Sequence, residues 1–379
     1  MRPPPLFIEV YDKNFVAQGA IGNPKFVTVA PIYNGAGTAT ISVPNSHRLI
    51  PDLIADGARL WIRDEDRNHL MSGWITRIRG SAPAQSGFME FDIVDDFNVL
   101  NDVLGWVVPT AAITGQGSAG EYYTLSGSAE YVLKAAVIAN AVTRLGMPLT
   151  VATNLDRGSA VTARLRFHPL YERLFPVVDG SGIEAAGVGV TVKQVGSGLV
   201  LDCFTPSLYP RTLSELGGAV VDWSWSKVST TATRVVVGGQ GEAQARVLRN
   251  YVDTAREAAV GHKIERFRDA RDVDDVADLP ARGQETLDDG APKSGLSITL
   301  AQTENLRYGR SISVGDRVNL EVGPGVVISD IMREATLSWT SEDGWQVTPK
   351  VGDRSDDPDT MLARTIRRLA RAISNSTRT

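Results

Sequence analysis

Two stretches of this chain, far apart in the sequence, carry the same β-pattern. The first runs Gly57-Ala58-Arg59-Leu60-Trp61-Ile62, then Ser72-Gly73-Trp74-Ile75-Thr76-Arg77-Ile78, then Gly87-Phe88-Met89-Glu90-Phe91-Asp92-Ile93. The second runs Gly315-Asp316-Arg317-Val318-Asn319-Leu320-Glu321, then Val326-Val327-Ile328-Ser329-Asp330-Ile331, then Gly344-Trp345-Gln346-Val347-Thr348-Pro349. In each, a glycine opens an arginine-bearing strand, a second strand follows, and a Gly-aromatic pair opens a third. The outer glycines lie 30 residues apart in the first stretch (57 to 87) and 29 in the second (315 to 344). What repeats is pattern, with little residue identity. A chain that folds one meander twice is held to a β-dominated architecture, and three copies of it would offer six similar faces. The plainer reading, two unrelated antiparallel meanders, expects no likeness in strand order.

A length of 379 residues exceeds the roughly 250–300 at which a single core stops growing, so more than one domain is expected. The 42% hydrophobic and 22% charged content is that of an ordinary soluble globular protein. No stretch approaches the ~20 apolar residues of a membrane span. Met1-Arg2-Pro3-Pro4-Pro5-Leu6 has no apolar h-region, so no secretory signal is expected. The formal net charge of −5 supplies no global reason to hold nucleic acid, which needs clustered cations. Cys203 is the lone cysteine, which excludes an intrachain disulfide. Its place in the apolar run 199–204 marks it as a small buried hydrophobe.

Along the chain, residues 1–100 are almost entirely β in signal. Leu6-Phe7-Ile8-Glu9-Val10-Tyr11, Val27-Thr28-Val29 and Ala39-Thr40-Ile41-Ser42-Val43 precede the first meander, with a tight connection at Asn34-Gly35-Ala36-Gly37. At least six short strands at this spacing favour a closed or sandwiched antiparallel sheet, because closure removes edges. The period changes near Asn101. Ser128 is an N-cap for a helix that Gly146 and Pro148 stop, a second helix is expected at Pro169-Leu170-Tyr171-Glu172-Arg173-Leu174-Phe175, and residues 188–194 and 198–204 form a hairpin. Residues 101–215 thus read as an inserted α+β domain. Strands resume at Val220-Val221-Asp222-Trp223-Ser224-Trp225 and define a second β-barrel-like domain over 216–355, with a helical insertion at about 242–290. The end, 356–379, is an amphipathic helix with Leu362, Ile366, Leu369 and Ile373 on one seam, a candidate oligomer or partner interface. The expected fold class is mainly β with an α+β insertion: two similar antiparallel β-barrel-like domains and a C-terminal helix.

The chemistry-bearing motifs are missing. His47, His69, His168 and His262 fall in no metal-ligand spacing. Asp64-Glu65-Asp66-Arg67-Asn68 opens like a calcium loop, yet His69 stands where glycine is needed and Ile75 where glutamate is needed. Gly238-Gly239-Gln240-Gly241 follows a strand without the spacing of a phosphate loop, and reads as a backbone corner. No catalytic residue, cofactor or metal is expected, and the chain does not read as an enzyme. Trp61, Trp74, Trp106, Trp223, Trp225, Trp339 and Trp345 sit largely within strand patterns, which assigns them to the core and not to a sugar-binding platform.

The order of parts resembles the tail-tip or baseplate hub proteins of long-tailed bacteriophages, most closely the minor tail proteins of siphophages infecting actinobacteria. The likeness is carried by Ile8-Glu9-Val10-Tyr11-Asp12, Ala39-Thr40-Ile41-Ser42-Val43-Pro44, Asp56-Gly57-Ala58-Arg59-Leu60-Trp61-Ile62 and Ser72-Gly73-Trp74-Ile75. Later it rests on Val237-Gly238-Gly239-Gln240-Gly241-Glu242, the acidic run at Asp272 to Asp275, Tyr308-Gly309 and Val314-Gly315-Asp316-Arg317-Val318. It spans 6–353, and its specificity lies in the order of loose motifs. The resemblance implies a homotrimeric hub in the virion tail tip, made in the host cytoplasm. Such a hub joins the sixfold tail tube and distal tail protein ring to a threefold tip and gates the channel for DNA ejection. Its implied partners are that ring, the tape-measure protein C-terminus, and other minor tail or receptor-binding proteins; DNA passes without sequence recognition. Relatives that carry lytic or receptor-binding domains keep two alternatives open: a cell-wall or polysaccharide hydrolase, and a receptor-binding tail protein.

Overall fold

The computed structural model describes residues 6–80, 83, 86–116, 120–175, 182–183, 186–218, 220–271, 276, 279–300 and 308–352. The described residues fall into two units, one from within 6–175, 182–223 and 298–351 and the other from within 224–297.

The first unit opens with seven strands: β1 (Leu6–Tyr11), β2 (Ala17–Ile21), β3 (Phe26–Ile32), β4 (Gly35–Pro44), β5 (Arg59–Asp64), β6 (His69–Gly80) and β7 (Phe88–Asp95). Their period-2 alternation sends Ile8 and Val10, Val27 and Val29, Ile41 and Val43, Leu60 and Ile62, and Phe91 and Ile93 to one buried face. Next come β8 (Tyr123–Ser128), β9 (Leu149–Val151), β10 (Ala160–Leu165), β11 (Gly189–Val195), β12 (Gly198–Phe204) and β13 (Leu208–Leu213). The chain passes into the second unit within β14 (Val220–Val228), forms β15 (Arg234–Gly238), β16 (Leu248–Val252) and β17 (Glu265–Asp269), and returns within β18 (Lys293–Leu300). It ends in β19 (Arg317–Gly323), β20 (Val326–Thr340) and β21 (Gly344–Gly352).

One sheet runs β14-β18-β21-β20-β3-β4-β7-β6-β5-β1-β2, with β19 beside β20 and β13 beside β19. Within it a single strand order occurs twice: β3-β4-β7-β6-β5 and β14-β18-β21-β20-β19. The correspondence extends to single residues. Arg59 faces Trp74 as Arg317 faces Ile331. The next residue donates its N–H across the pair in both, Ile75 to Ala58 O at 3.0 Å and Met332 to Asp316 O at 2.8 Å. The register then slips in both, between Ile75 and Arg77 and between Met332 and Glu334, and resumes at Arg77–Asp92 and Glu334–Lys350. Gly57 and Gly315, which open the two meanders, both take a positive φ, +78° and +97°. A bulge of this kind bends and twists its strand, so each middle strand turns at the same point of the motif.

The repeats differ in what interrupts them. β3 and β4 are joined by the turn at Tyr33-Asn34, whereas their counterparts β14 and β18 are separated by most of the second unit. The expected closed barrels do not form among the described residues. β20 uses Glu334 to Thr340 to pair with β3, so each repeat joins the other instead of closing on itself. The sheet stays open, ending at β2 and β14.

The α+β segment builds its own core from the helix Ala129–Val137, β9 to β12 and flanking residues. Ser128 caps the helix by accepting from Tyr131 N at 3.3 Å. The helix continues as a π-helical stretch, Ile138–Arg144, wound with i→i+5 hydrogen bonds. Within it Asn140, fully buried, accepts from Trp106 N at 2.8 Å and donates to Ala136 O at 3.0 Å. Cys203 is buried, and burial pushes its thiol up to about 12. In the second unit, β16, β15 and β17 form a three-stranded sheet whose Val235 and Val237 pack on Leu279 and Leu287 of the helix Leu279–Asp289. That helix and the short helix Thr254–Val260 fall in the segment 242–290 expected to be helical. β16 and β17 depart from that expectation, because their exposed, charged stretches lack an alternating apolar face and pair through backbone groups.

Candidate functional site

Two polar joints lock the α+β segment to the early strands of the first unit. Asn34, in the turn between β3 and β4 with φ +51°, is 2% exposed. Its amide donates to Val188 O at 2.9 Å and accepts from Val190 N at 2.8 Å, so the side chain substitutes for a strand neighbour at the start of β11. The second joint is an ion pair. Arg59 of β5 donates to Asp96 at 2.5 Å, with both side chains buried. Ser72 of β6 donates to the other Asp96 oxygen at 2.7 Å and accepts from Gln194 N of β11 at 2.9 Å. Four segments thereby meet at one buried carboxylate. A second buried charge, Glu130, binds Lys134 at 2.6 Å and Arg157 N at 2.9 Å inside the α+β segment. Burial opposes its ionisation, but those hydrogen bonds and the two cations together hold its carboxyl below the usual range.

Between these joints lies a cleft of about 190 Å³, lined among others by Tyr33, His69, Asp95, Lys193, Phe204 and Tyr308. Burial lowers His69 to about 3, with the Lys193 and Arg63 charges adding to the effect. Trp61 Nε1 donates to its Nδ1 at 3.1 Å, so the ring stands neutral. Burial raises Asp95 to about 8, against the Phe97 N–H bond and Lys193, and with Asp96 beside it. Burial also raises the Tyr308 hydroxyl. Groups shifted in a cleft can mark catalysis. Here all three are held in the uncharged form by packing, and each already has a structural hydrogen bond.

The shifts do set a pH dependence. Below pH 3.8 Asp95 is protonated in both states; from there to about 8 only the unfolded chain releases the proton, so its contribution to stability falls as pH rises. His69 acts oppositely, because the unfolded ring gains a proton below 6.5 and the folded one only near 3. The two slopes cancel between about pH 4 and 6.5, leaving Asp95 alone above that. Urea midpoints are therefore expected to decline from pH 6.5 to 8, and Asp95→Asn, which keeps the Phe97 acceptor, should flatten that limb. A limb unchanged in the variant contradicts this assignment.

Two exposed strand segments lie in the repeated sheet order at unpaired edges among the described residues. β14 ends the sheet, and Val221, Trp225 and Val228 are 65%, 41% and 38% exposed. Trp225 thus departs from the expected core role: among the described residues β14 ends the sheet, and Val221, Asp222, Ser224 and Val228 are exposed with it. The other segment is the far half of β6. β5 covers β6 only from His69 to Trp74, and among the described residues no strand lies beyond it on that side. Residues 76–80 are exposed, and a groove of about 340 Å³ runs beside them, lined by residues 53–57 and 75–78. Sequence reasoning missed both, because an edge becomes visible only when the sheet order is known. Leu362, Ile366, Leu369 and Ile373, and the acidic run at Asp272 to Asp275, lie outside the described residues. Among the described residues no group of three or more metal-binding side chains converges, and no helix is long and apolar enough to cross a membrane.

The fold is mainly β with an internally repeated strand order, and its buried polar groups act as joints between segments. The chain belongs to the family described as Siphovirus ReqiPepy6 Gp37-like protein, whose model matches residues 7–353. Its fold is similar to the crystal structure of the prophage MuSo2 43 kDa tail protein from Shewanella oneidensis, with a TM-score of 0.58 and 11% identity over 92% of this chain and 100% of that one. It is also similar to a tail protein from Neisseria meningitidis MC58 (TM-score 0.54, 11% identity, 92% of this chain and 97% of that one). Prophage tail protein gp18 from Listeria monocytogenes EGD-e matches with a TM-score of 0.53 and 10% identity over 96% and 99%. At these identities the likeness is one of fold. No curated protein sequence matches the chain. None of these findings indicates an enzyme family.

Proposed function

We propose that this protein is a structural, non-catalytic component of the tail tip of a long-tailed bacteriophage, akin to minor tail proteins of siphophages of actinobacteria. Three copies form a hub ring that joins the sixfold tube and distal tail ring to a threefold tip. The ring holds the end of the tape-measure protein, seats other minor tail or receptor-binding proteins, and opens its channel for DNA. In this reading the hub domains are 1–100 and 216–355, the segment 101–215 is the insertion between them, and the C-terminal seam Leu362, Ile366, Leu369 and Ile373 faces another copy or a neighbour.

The observation that carries this reading is the strand order present twice in one chain. Three chains with two like modules each can meet a sixfold ring with six similar elements. Family membership and the fold shared with tail proteins support the same reading. Obligate rings bury on the order of 2,000–5,000 Å² per interface, so the assembly should persist on dilution. Mass photometry of the purified protein should show particles of three 40.8 kDa chains. Monomers alone, both in solution and in extracts of tail tips, would overturn the ring.

A further inference from the structure

The repeat makes one junction inside the chain and leaves the matching junction unmade. β3, the first strand of the early module, pairs with β20, the fourth strand of the late module: Glu334 faces Ile32, Leu337 faces Val29 and Thr340 faces Phe26. The contact begins at the bulge, where Tyr33 N donates to Arg333 O at 2.7 Å. Placing Ile75 on Met332 and Arg77 on Glu334, as the shared bulge requires, puts Thr76 at the position of Arg333 and Gly80 at that of Leu337. β6 therefore carries the counterpart of the β3-binding segment at residues 76–80. In β6, Gly73 and Trp74 pair with β5 and β7 at once. β5 and β7 thus lie on opposite sides, and the uncovered edge beyond Trp74 is the one β5 leaves. β14, the counterpart of β3, likewise has no strand on its outer side among the described residues.

Resting on the ring reading above, we infer that β14 of one copy pairs with residues 76–80 of β6 in the next copy. The bond between copies thus repeats the bond that β3 makes to β20 within one. The edge groups of both strands invite such augmentation. The groove lined by residues 53–57 and 75–78 lies beside that edge and leaves room for an incoming strand. Ile54 and Ile78, 51% and 42% exposed, supply apolar contact for Val221 and Trp225. Exposed Arg77 on β6 and exposed Asp222 on β14 carry opposite charge. The interface is heterologous: one copy gives β14 and receives on β6, so repetition closes a ring when the rotation allows it. That pairing covers the outer side of β14 and the uncovered edge of β6, while β2 remains an end of the sheet.

The test uses the full-length protein with Ile78→Cys in one preparation and Trp225→Cys in another, joined by a short bis-maleimide. Both positions are exposed, and the native Cys203 is buried, so the unmodified protein is the blank. The mixture is expected to give a cross-linked dimer that neither variant gives alone; the pair Arg77→Cys and Asp222→Cys repeats the measurement at different side chains. A product from Ile78→Cys by itself would mean an isologous contact and would overturn the pairing. Trimers by mass photometry with no cross-link from either mixed pair would overturn it while leaving the ring intact. Monomers at every concentration would overturn both.

Discussion

Gly73→Ala is expected to prevent stable folding of the first unit, with soluble yield and the urea midpoint both collapsing. A Cβ at this position would sit 1.8 Å from Val94 O and 2.8 Å from Val94 C, which are backbone atoms of the neighbouring strand. No rotamer relieves such a clash. Relief requires β6 and β7 to separate where Gly73 faces Asp95 and Trp74 faces Val94. Overpacking of ordinary severity costs about 1–3 kcal/mol, and a contact this far inside van der Waals range lies beyond that scale. Gly80 in the same strand is the control. Its added Cβ would meet only Met89 side-chain atoms, at 3.5 and 3.7 Å, so Gly80→Ala should be neutral or should stabilise by up to about 1 kcal/mol. Equal behaviour of the two variants would show that close approach at Gly73 is not what the strand requires.

Asp96→Ala should destabilise the first unit by about 3–5 kcal/mol, because it leaves the Arg59 guanidinium buried without its carboxylate. It also strips an acceptor from Ser72, whose hydroxyl receives Gln194 N. The cost belongs to the orphaned charge more than to the pair itself. Arg59→Met combined with Asp96→Ala should therefore recover much of the loss, since replacing a buried pair by apolar groups is often close to neutral. Equilibrium urea titration of the two single variants and the double reads this directly. Additive losses in the double variant would refute the coupling.

The first substitution lies in the dipeptide Ser72-Gly73, and the second removes the partner of Ser72. That dipeptide was visible in the sequence as part of a family-like motif but with no stated reason for being there. The structure supplies one for each residue: the serine ties β6 to Asp96 and β11, and the glycine admits the carbonyl of β7. The repeat was legible for a different reason. Glycine-opened strands with an apolar alternation report local geometry, and the two meanders do share strand order, bulge and opening glycine conformation. The N-cap at Ser128, the helix over Leu279–Asp289 and the burial of Cys203 were readable on the same local grounds. β16 and β17 were not, because their pairing with β15 is made by backbone groups under largely exposed, charged side chains.

By itself, then, the amino-acid order determined the strands that carry an alternating apolar face and that one meander occurs twice, since each follows from periodicity and turn chemistry within a few neighbouring residues. Only the tertiary structure decided that β20 reaches back to β3 and leaves the sheet open. It also decided that the second unit separates β14 from β18, that Asp96 gathers four segments, and that Trp225 stands exposed at an edge. Ladder hydrogen bonds join backbone groups that every non-proline residue carries. The choice of a distant partner strand is therefore written in the packing of the whole sheet and not in any local run of side chains.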